Sequence, residues 1–345
     1  MRSWIAALIV VMAIVSPVQA VILYESPNRL AKPPAGSLAG SGWQWQGKWE
    51  GFLGTVISKN TFITAGHVGG NVGDYFNLNG VNYKTVATFN DPQSDLQIWS
   101  IHGRFTSAAP LFTSANETGK GVVIFGRGTQ RGDPVVVNNQ LKGWLWGAND
   151  GLQSWGKNII TGFAPSQSDA SAGSKTVKNA LVGWTFDANA WAHEGTVSGG
   201  DSGGGVFTKV GTTWELMGVN FGAESDFTLP GESIVKHGAI FDAGGLVFDG
   251  KTVADTLADI PTHGFATRIS TRMSWINSVL SGKIAPSVNA TQSLSIQGVP
   301  EPISTTPLFG IVVFLRRRDR KPARPGWIAR SESHSVFSGA GVVIC

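Results

Sequence analysis

The feature that most limits the fold is a long series of short strand-like runs bounded by turn residues. Between about residues 41 and 260, alternating or β-rich runs occupy 52–57, 61–65, 96–101, 121–126 and 134–138. Gly, Asn and Asp separate the runs, and the chain of 345 residues contains 45 glycines but only 14% charged residues. Short strands at this spacing are typical of antiparallel barrels and sandwiches. We therefore predict an all-β protein.

One stretch departs from the strand pattern, and it lies at the end of this series. From Thr267 to Leu280, apolar residues recur at helical spacing and share one face: Ile269, Met273, Ile276 and Leu280. Gly282 follows the last of them, and glycine is common just past the end of a helix. We predict a C-terminal helix that closes the compact unit.

The first twenty residues have the layout of a secretory signal peptide. Arg2 gives a positive start, an apolar run extends from Trp4 to Val15, and Val18-Gln19-Ala20 forms a small-x-small cleavage site. We therefore expect an exported protein. Export permits disulfide bonds, but Cys345 is the only cysteine, so none can form within the chain.

The excess of basic over acidic residues lies at the two ends of the chain. Seven of the 27 basic residues and three of the 23 acidic ones lie in 299–345, and residues 1–20 add one arginine. The body, residues 21–298, is left with 19 basic and 20 acidic residues. A nucleic-acid-binding body would need a basic face, so the charge argues against a nucleic-acid partner.

Three short segments carry side chains suited to nucleophilic catalysis. They are TAGH at 64–67, DLQI at 95–98 and GDSGG at 200–204. A serine hydroxyl is a poor nucleophile at neutral pH and needs an adjacent base, which in turn needs an acidic partner. We expect His67 to take the proton of Ser202 and Asp95 to orient the imidazole. Asp91, four residues earlier, is the alternative acid, and the strand pattern after Asp95 favours Asp95.

The glycines around Ser202 predict a tight turn. A turn without side chains lets the backbone N–H groups of Gly200 and Ser202 converge on one point. We expect these two groups to form an oxyanion hole. No cluster of His, Cys and carboxylate residues has the spacing of a catalytic metal site, so we expect neither a metal nor an organic cofactor.

With His, Asp and Ser in this order, the TAGH and GDSGG segments resemble the trypsin/chymotrypsin family of serine endopeptidases. The stretches 218–222, 266–269 and 275–277 look like the family's substrate-binding strand, closing segment and C-terminal helix. The resemblance implies two antiparallel six-stranded β-barrels with the active site in the cleft between them, over residues 43–281.

The same resemblance implies a substrate pocket. It places Thr196 at the base, where a carboxylate would select Arg or Lys, and assigns substrate binding to Asn220, Phe221 and Gly222 as well. The absence of that carboxylate favours a neutral, apolar or modest-sized side chain before the cut bond. Glu224 and Asp226, in an insertion, can return negative charge to the pocket, and this alternative stays open.

Activation is the point at which the chain departs from the animal members of that family. In those members a new Ile or Val amino terminus pairs with the carboxylate before the reactive serine, here Asp201. No IVGG-like segment precedes residue 43, so we expect Asp201 to use an internal donor. Forms beginning at Val21, near Leu38 and near Trp43 should then be equally active.

The tail resembles a PEP-CTERM sorting signal of Gram-negative bacteria that make exopolysaccharide. Val299-Pro300-Glu301-Pro302 is followed by an apolar run, Leu308 to Leu315, and a basic cluster at 316–321. An apolar run this short falls well below the ~20 residues that cross a bilayer, so we expect no permanent transmembrane span. If the segment is a sorting signal, its partner is a sorting machinery. The alternative is that the tail is disordered and VPEP occurs in it by chance.

The divisions expected are a signal peptide at 1–20, a lead-in at 21–42, the protease-like domain at 43–281, a linker at 282–298, the sorting segment at 299–321 and a tail without an assigned role at 322–345. The expected function is a serine endopeptidase, secreted or on the cell surface of a Gram-negative-type bacterium, that acts on protein or peptide substrates. The alternative is a catalytically silent member of the fold that serves as a surface binding or adhesion protein. In that case tryptophans would hold glycan rather than pack in the core and loops: Trp43, Trp45, Trp49, Trp144, Trp146 and Trp155.

Overall fold

A computed structural model describes residues 20–167, 176–289 and 342–344. The predicted all-β class with a C-terminal helix is confirmed. Residues 1–19 of the expected signal peptide and the whole of the sorting segment lie outside the described residues. Within the described ranges, no helix has the length and apolar character needed to cross a membrane.

The strands of the first half are β1 (Ile22–Leu23), β2 (Gln46–Trp49), β3 (Phe52–Val56), β4 (Thr61–Ala65), β5 (Tyr75–Leu78), β6 (Val81–Asn90) and β7 (Leu96–Ile101). Those that follow are β8 (Gly121–Gly126), β9 (Thr129–Val137), β10 (Gln140–Asn149), β11 (Ser154–Ile159), β12 (Gly162–Gln167), β13 (Thr176–Thr185), β14 (Gly195–Thr196), β15 (Gly205–Val210) and β16 (Thr213–Glu224). The last are β17 (Asp226–Phe227), β18 (Lys236–Ile240), β19 (Val247–Phe248), β20 (Lys251–Thr252), β21 (His263–Arg268), β22 (Val288–Asn289) and β23 (Val342–Ile344). The α-helix α1 covers Met273–Leu280, and 3-10 turns cover Gly36–Leu38, Trp43–Trp45, Gly66–Val68 and Ser270–Arg272.

Six strands of the first half, β2 to β7, form a closed antiparallel barrel. Its order is β6-β5-β2-β3-β4-β7, and a further pairing of β6 with β7 closes it. Large aromatic side chains fill the interior: the rings of Phe62 and Phe76 stack with centroids 4.0 Å apart, and Trp49 lies 4.7 Å from Trp99. Closure leaves these strands few free edges, and the aromatic interior provides the burial that stabilises the barrel.

The second half is built on an antiparallel sheet in the order β11-β8-β15-β16-β21-β13-β12. Its inner face carries a second core, which includes Ile124, Trp184, Val206 and Met217, all fully buried. Strand β23 pairs with the end of β16, and β9, β10, β17 and β18 form a separate four-stranded sheet. The closed barrel and the final helix agree with the fold that the resemblance implied. The second half differs from the expected six-stranded barrel, because its sheet follows a path of seven strands and no pairing among the described residues closes it.

A third core joins the two halves. It contains Leu53 and Ile63 from the barrel, Val123 and Phe207 from the second sheet, and Ile276 from α1. Because these side chains are buried against one another, the halves are held in a fixed relation. The loops that meet above this core are therefore positioned by both halves.

The C-terminal helix is shorter than predicted. Thr267 and Arg268 belong to β21, where they pair with Leu181 of β13 and Gly218 of β16, and a 3-10 turn intervenes before Met273. Helix α1 itself buries three side chains: Trp275, Ile276 and Val279. The expected start at Thr267 was wrong because tertiary strand pairing overrides the local helical periodicity.

The tryptophans that a glycan platform would use serve in packing. Trp49, Trp144 and Trp155 are buried, while Trp43, Trp45 and Trp146 are half-buried. Trp45 stacks on Phe207 with ring centroids 5.8 Å apart. None of these six side chains is exposed, so the packing interpretation is confirmed.

Candidate active site

His67 and Asp95 are brought together by the pairing of β4 with β7. The antiparallel register places Ala65 opposite Leu96, so the residues just beyond the two strands face each other. The Gly66 N–H donates to the Asp95 carbonyl oxygen at 2.8 Å, and the His67 N–H donates to Asp95 Oδ1 at 2.9 Å. The second carboxylate oxygen lies 2.6 Å from His67 Nδ1. Asp95 therefore fixes both the backbone and the ring of His67.

Ser202 enters from the second half of the molecule. It lies in the turn before β15, and its Oγ is 2.6 Å from His67 Nε2. The turn requires glycine next to Ser202, because Gly203 has φ +74° and a Cβ there would lie 2.1 Å from Thr64 Oγ1. The fold thus aligns carboxylate, imidazole and hydroxyl in one hydrogen-bonded row.

Asp91 is placed elsewhere. Its carboxylate accepts hydrogen bonds from Arg272 Nε at 2.6 Å and Nη2 at 2.7 Å, and a further one from the Ser94 hydroxyl. These contacts tie the loop before β7 to the segment that leads into α1. Of the two carboxylates considered, the one that contacts His67 is Asp95.

The Asn220 side chain and backbone stabilise the Ser202 turn through hydrogen bonds. The side-chain amide nitrogen donates to the carbonyl oxygens of Phe125 at 2.7 Å and Asp201 at 3.0 Å, and the Gly203 N–H donates to the Asn220 carbonyl oxygen. Asn220 is fully buried, so its side chain does not line a groove. Burial and two carbonyl partners commit this side chain to the turn, and substrate binding by the strand that contains Asn220 stays a prediction.

The Gly200 backbone has a conformation suited to glycine. Its φ is +95°, and a Cβ would lie 2.9 Å from the Gly128 Cα. The neighbouring Gly199 carbonyl oxygen accepts a hydrogen bond from the Thr129 N–H at 2.8 Å, and the Asp201 N–H bonds the Ser198 carbonyl oxygen. Strand β9 therefore holds the turn that carries the two expected oxyanion donors.

Asp201 is fully buried, and its carboxylate is surrounded by N–H donors. Oδ1 accepts from the Gly128 N–H at 2.7 Å, and Oδ2 accepts from the Ser198 N–H at 2.7 Å and the Ser198 hydroxyl at 3.0 Å. The Val21 N–H also donates to Oδ2, at 3.3 Å. Burial raises the pKa of Asp201 to about 6, and the donors of Ser198, Gly128 and Val21 work in the opposite direction.

The contacts of Asp201 agree with the expectation of internal donors, and Val21 is one of these donors. Residues 20–23 are buried rather than extended on the surface, and β1 (Ile22–Leu23) pairs with β14 so that Ile22 lies opposite Thr196. Arg131 further holds the segment through the Tyr24 carbonyl oxygen at 2.9 Å. Val21 directly follows the predicted cleavage site, and Val-Ile-Leu at 21–23 is an apolar segment.

The residue at the expected pocket base contacts a buried tryptophan. Thr196 is buried, and its Oγ1 accepts a hydrogen bond from Trp184 Nε1 at 3.3 Å. The indole of Trp184 also lies against Gly264, where a Cβ would be only 2.6 Å from the ring. Trp184 itself is fully buried. It was missed from sequence because no motif marks it.

The two carboxylates left open for the pocket are paired with histidines. Glu224 Oε2 lies 2.6 Å from His263 Nδ1 and accepts from the His263 N–H at 3.1 Å. Asp226 contacts His237 through the ring Nδ1. Each of the two acids therefore has a histidine partner. Both lie in the chain shortly after Phe221 and Gly222.

Phe221 and Gly222 lie at the edge of the site. The Phe221 ring stands edge-on to the His67 ring with centroids 6.0 Å apart. Gly222 pairs with Phe265 of β21 on one side and with Ile344 of β23 on the other. The strand that the resemblance assigned to substrate backbone thus adjoins His67.

A buried acid near β14 gives a prediction on pH. Glu194 is fully buried, its Oε1 accepts from Asn158 Nδ2 at 3.0 Å, and its Oε2 has no hydrogen-bond partner among the described residues. Burial raises its pKa to about 8, so the folded protein holds a proton that the unfolded chain releases near pH 4.5. Stability contributed by that proton is present at low pH and is lost as the pH rises from about 5 through 8.

Replacing Glu194 by Gln should remove the loss of folding stability that occurs as the pH rises. Thermal unfolding at pH 5 and pH 9 should show a smaller decline for E194Q than for the unchanged protein, with a difference of roughly 2–4 kcal/mol at pH 9. Equal declines for the two proteins would contradict a neutral Glu194. E215Q, on the half-buried face of β16, serves as the matched control.

Within the described residues, no group of three or more His, Cys, Asp or Glu side chains is placed to hold a metal ion. No protein-family model matches the chain, and no curated protein does. Among solved structures, it is similar to neuropsin, a serine protease expressed in the limbic system of mouse brain. The two are 12% identical with a TM-score of 0.42, over 70% of this chain and 96% of the other. The chemistry of the site is therefore argued from its own side chains and not from this similarity.

Proposed function

We propose that the protein is a serine endopeptidase that hydrolyses peptide bonds through an acyl-enzyme. The observation that carries the proposal is the His67 ring, which has the Asp95 carboxylate 2.6 Å from one nitrogen and the Ser202 hydroxyl 2.6 Å from the other. This is the geometry that turns a serine hydroxyl into a nucleophile. Hydrolysis of a fluorogenic peptide amide by the form beginning at Val21, compared with its S202A variant, tests the proposal.

In the proposed reaction, Ser202 Oγ attacks the peptide carbonyl carbon while His67 Nε2 accepts the hydroxyl proton. Asp95 stabilises the resulting imidazolium through Nδ1 and does not itself take the proton. The negative oxygen of the tetrahedral intermediate accepts hydrogen bonds from the backbone N–H groups of Gly200 and Ser202. His67 then protonates the leaving amine, and the C–N bond breaks. Water, activated by His67, releases the acyl group.

A silent binding protein is the weaker alternative. Such a protein has no need of a hydroxyl, an imidazole and a carboxylate in hydrogen-bonded line, and the aromatic side chains that glycan binding would use are committed to packing. Export through the signal peptide, and retention at the surface through the segment 299–321, belong to the same proposal. They rest on the sequence pattern of those segments.

The tryptophan beside the expected pocket base supports a preference for small side chains before the cut bond. The Trp184 indole donates a hydrogen bond to Thr196 Oγ1 and packs against Gly264. A large side chain entering the pocket would meet this ring before it reached Thr196. Substrates with Ala or Ser before the cut bond should therefore be hydrolysed faster than those with Phe, Arg or Lys.

Replacing Trp184 by Leu tests this preference. The shorter side chain opens the base, so the ratio of kcat/KM for a Phe substrate to that for an Ala substrate should rise about tenfold or more, the discrimination that a few methylene groups provide. The thermal midpoint of W184L is measured alongside, because a fully buried indole contributes to the core. A folded W184L with an unchanged ratio would show that Trp184 does not limit the pocket. W99L, which shortens another fully buried tryptophan, is the control.

A further inference from the structure

We propose that residues 342–344 of the chain bind along the substrate groove as a tethered inhibitor. This inference rests on the proposed function, since it takes the groove beside Ser202 to be where substrate binds. It adds a partner for that groove, namely the chain's own tail.

The pairing of β23 with β16 is the first observation. The two strands are antiparallel, with Ile344 opposite Gly222, Val343 opposite Ala223 and Val342 opposite Glu224. Addition of an extended segment to an exposed sheet edge is a general mode of peptide recognition, in which main-chain hydrogen bonds supply affinity. The tail therefore occupies β16 in the manner of a bound peptide.

The location of this pairing is the second observation. Gly222 follows Phe221, whose ring centroid is 6.0 Å from that of His67, and Asn220 donates to the Asp201 carbonyl oxygen at 3.0 Å. The edge occupied by the tail thus continues directly from the Ser202 turn. A peptide substrate on this edge and the tail would compete for the same backbone groups.

The direction of the tail is the third observation. Because the pairing is antiparallel, the tail advances from Glu224 toward Gly222 as its numbering rises, and so toward Ser202. The part of a substrate that precedes the cut bond must approach Ser202 with its carbonyl end leading, since that carbonyl carbon is attacked. The tail has the same polarity, which is that of the acyl product.

Attachment to the same chain allows a segment of three residues to act as an inhibitor. Three residues bind weakly as a free peptide, but attachment to the domain supplies an effective concentration on the order of millimolar. A cut anywhere between residues 289 and 342 would remove that advantage. Removal of the tail at the expected sorting segment, 299–321, would accordingly release the groove.

Proline substitutions in the full chain beginning at Val21 test the inference. Proline cannot donate a backbone hydrogen bond, and alternate residues of an antiparallel strand direct their N–H groups at the partner. Val342→Pro, Val343→Pro and Ile344→Pro are each compared with the unchanged chain on a peptide substrate. At least one should lower KM about tenfold with kcat unchanged, whereas Val336→Pro, at a position before β23 in the sequence, should leave both unchanged. An active chain whose KM is the same in all four variants would overturn the inference.

A binding measurement keeps this test separate from the proposed activity. A labelled peptide of residues 339–344 is titrated into the full chain carrying S202A with proline at 342, 343 and 344, and its fluorescence anisotropy is followed. If the labelled peptide binds saturably and excess substrate peptide displaces it, the inference is supported even when no variant hydrolyses a substrate. Absence of saturable binding up to millimolar peptide, or binding that substrate peptide leaves unaffected, contradicts it. Absence of turnover in every variant would count against the proposed function alone.

Discussion

Replacing Ser202 by Ala should lower peptide turnover about ten thousand-fold or more, the range found when the nucleophile of such a triad is removed. The loss follows from the 2.6 Å contact between Ser202 Oγ and His67 Nε2, because alanine leaves the imidazole without a hydroxyl to activate. The residual rate would come from binding and from the Gly200 donor. The measurement is kcat/KM on a peptide amide, with the thermal midpoint recorded for each protein.

Two companions sharpen this prediction. H67A should cost about as much as S202A, and the double variant should cost little more than either, since groups that act as a unit are not additive. Ser94→Ala, at a buried hydroxyl that bonds Asp91, is the matched control and should keep near-normal turnover. Additive losses for the first pair would contradict a shared proton transfer.

A second large effect should follow from the amino terminus. Cutting after Ala20 converts the Val21 N–H, 3.3 Å from Asp201 Oδ2, into an ammonium group beside a fully buried carboxylate. Removing one partner of a buried ion pair typically costs 3–5 kcal/mol, which corresponds to a loss of about a hundredfold or more if the Ser202 turn depends on it. The form beginning at Val21 should be active, and those beginning at Ile22 or Leu38 should lose at least that factor.

This result would differ from the expectation drawn from sequence, in which the starting residue has no influence. The form beginning at Ile22 is the decisive comparison, because it lacks one residue and keeps the rest of the segment. Chemical acetylation of the Val21 amine should reproduce the loss. If the forms beginning at Val21, Ile22 and Leu38 have equal specific activities, then the N–H groups of Gly128 and Ser198 hold Asp201 without the terminus.

The contacts of the candidate site that can be expected from sequence are those whose geometry is set locally. His67 and Asp95 each border a strand, and the β4–β7 register alone brings them into contact. The turn around Ser202 was predictable because its glycines are required by close backbone approach. The expected contact between the Ser202 hydroxyl and the His67 imidazole depends on the packing of the two halves, which neither local segment determines.

The parts that sequence missed depend on contacts between distant residues. Val21 and Asp201 are 180 positions apart, so no local pattern indicates their contact. Trp184 reaches the pocket base only because β13 pairs with β21. The pairing of Ile344 with Gly222 spans more than a hundred residues, and no local pattern indicates it.

The central claim, that Ser202 is an activated nucleophile, is tested most directly by labelling with a fluorophosphonate. The hydroxyl oxygen displaces fluoride from phosphorus, so the protein beginning at Val21 should gain one phosphonyl group, located by peptide mass spectrometry on Ser202. S202A should gain none, and H67A should be labelled far more slowly. Labelling of the unchanged protein at another residue, or none under conditions where its fold is intact, would contradict the account.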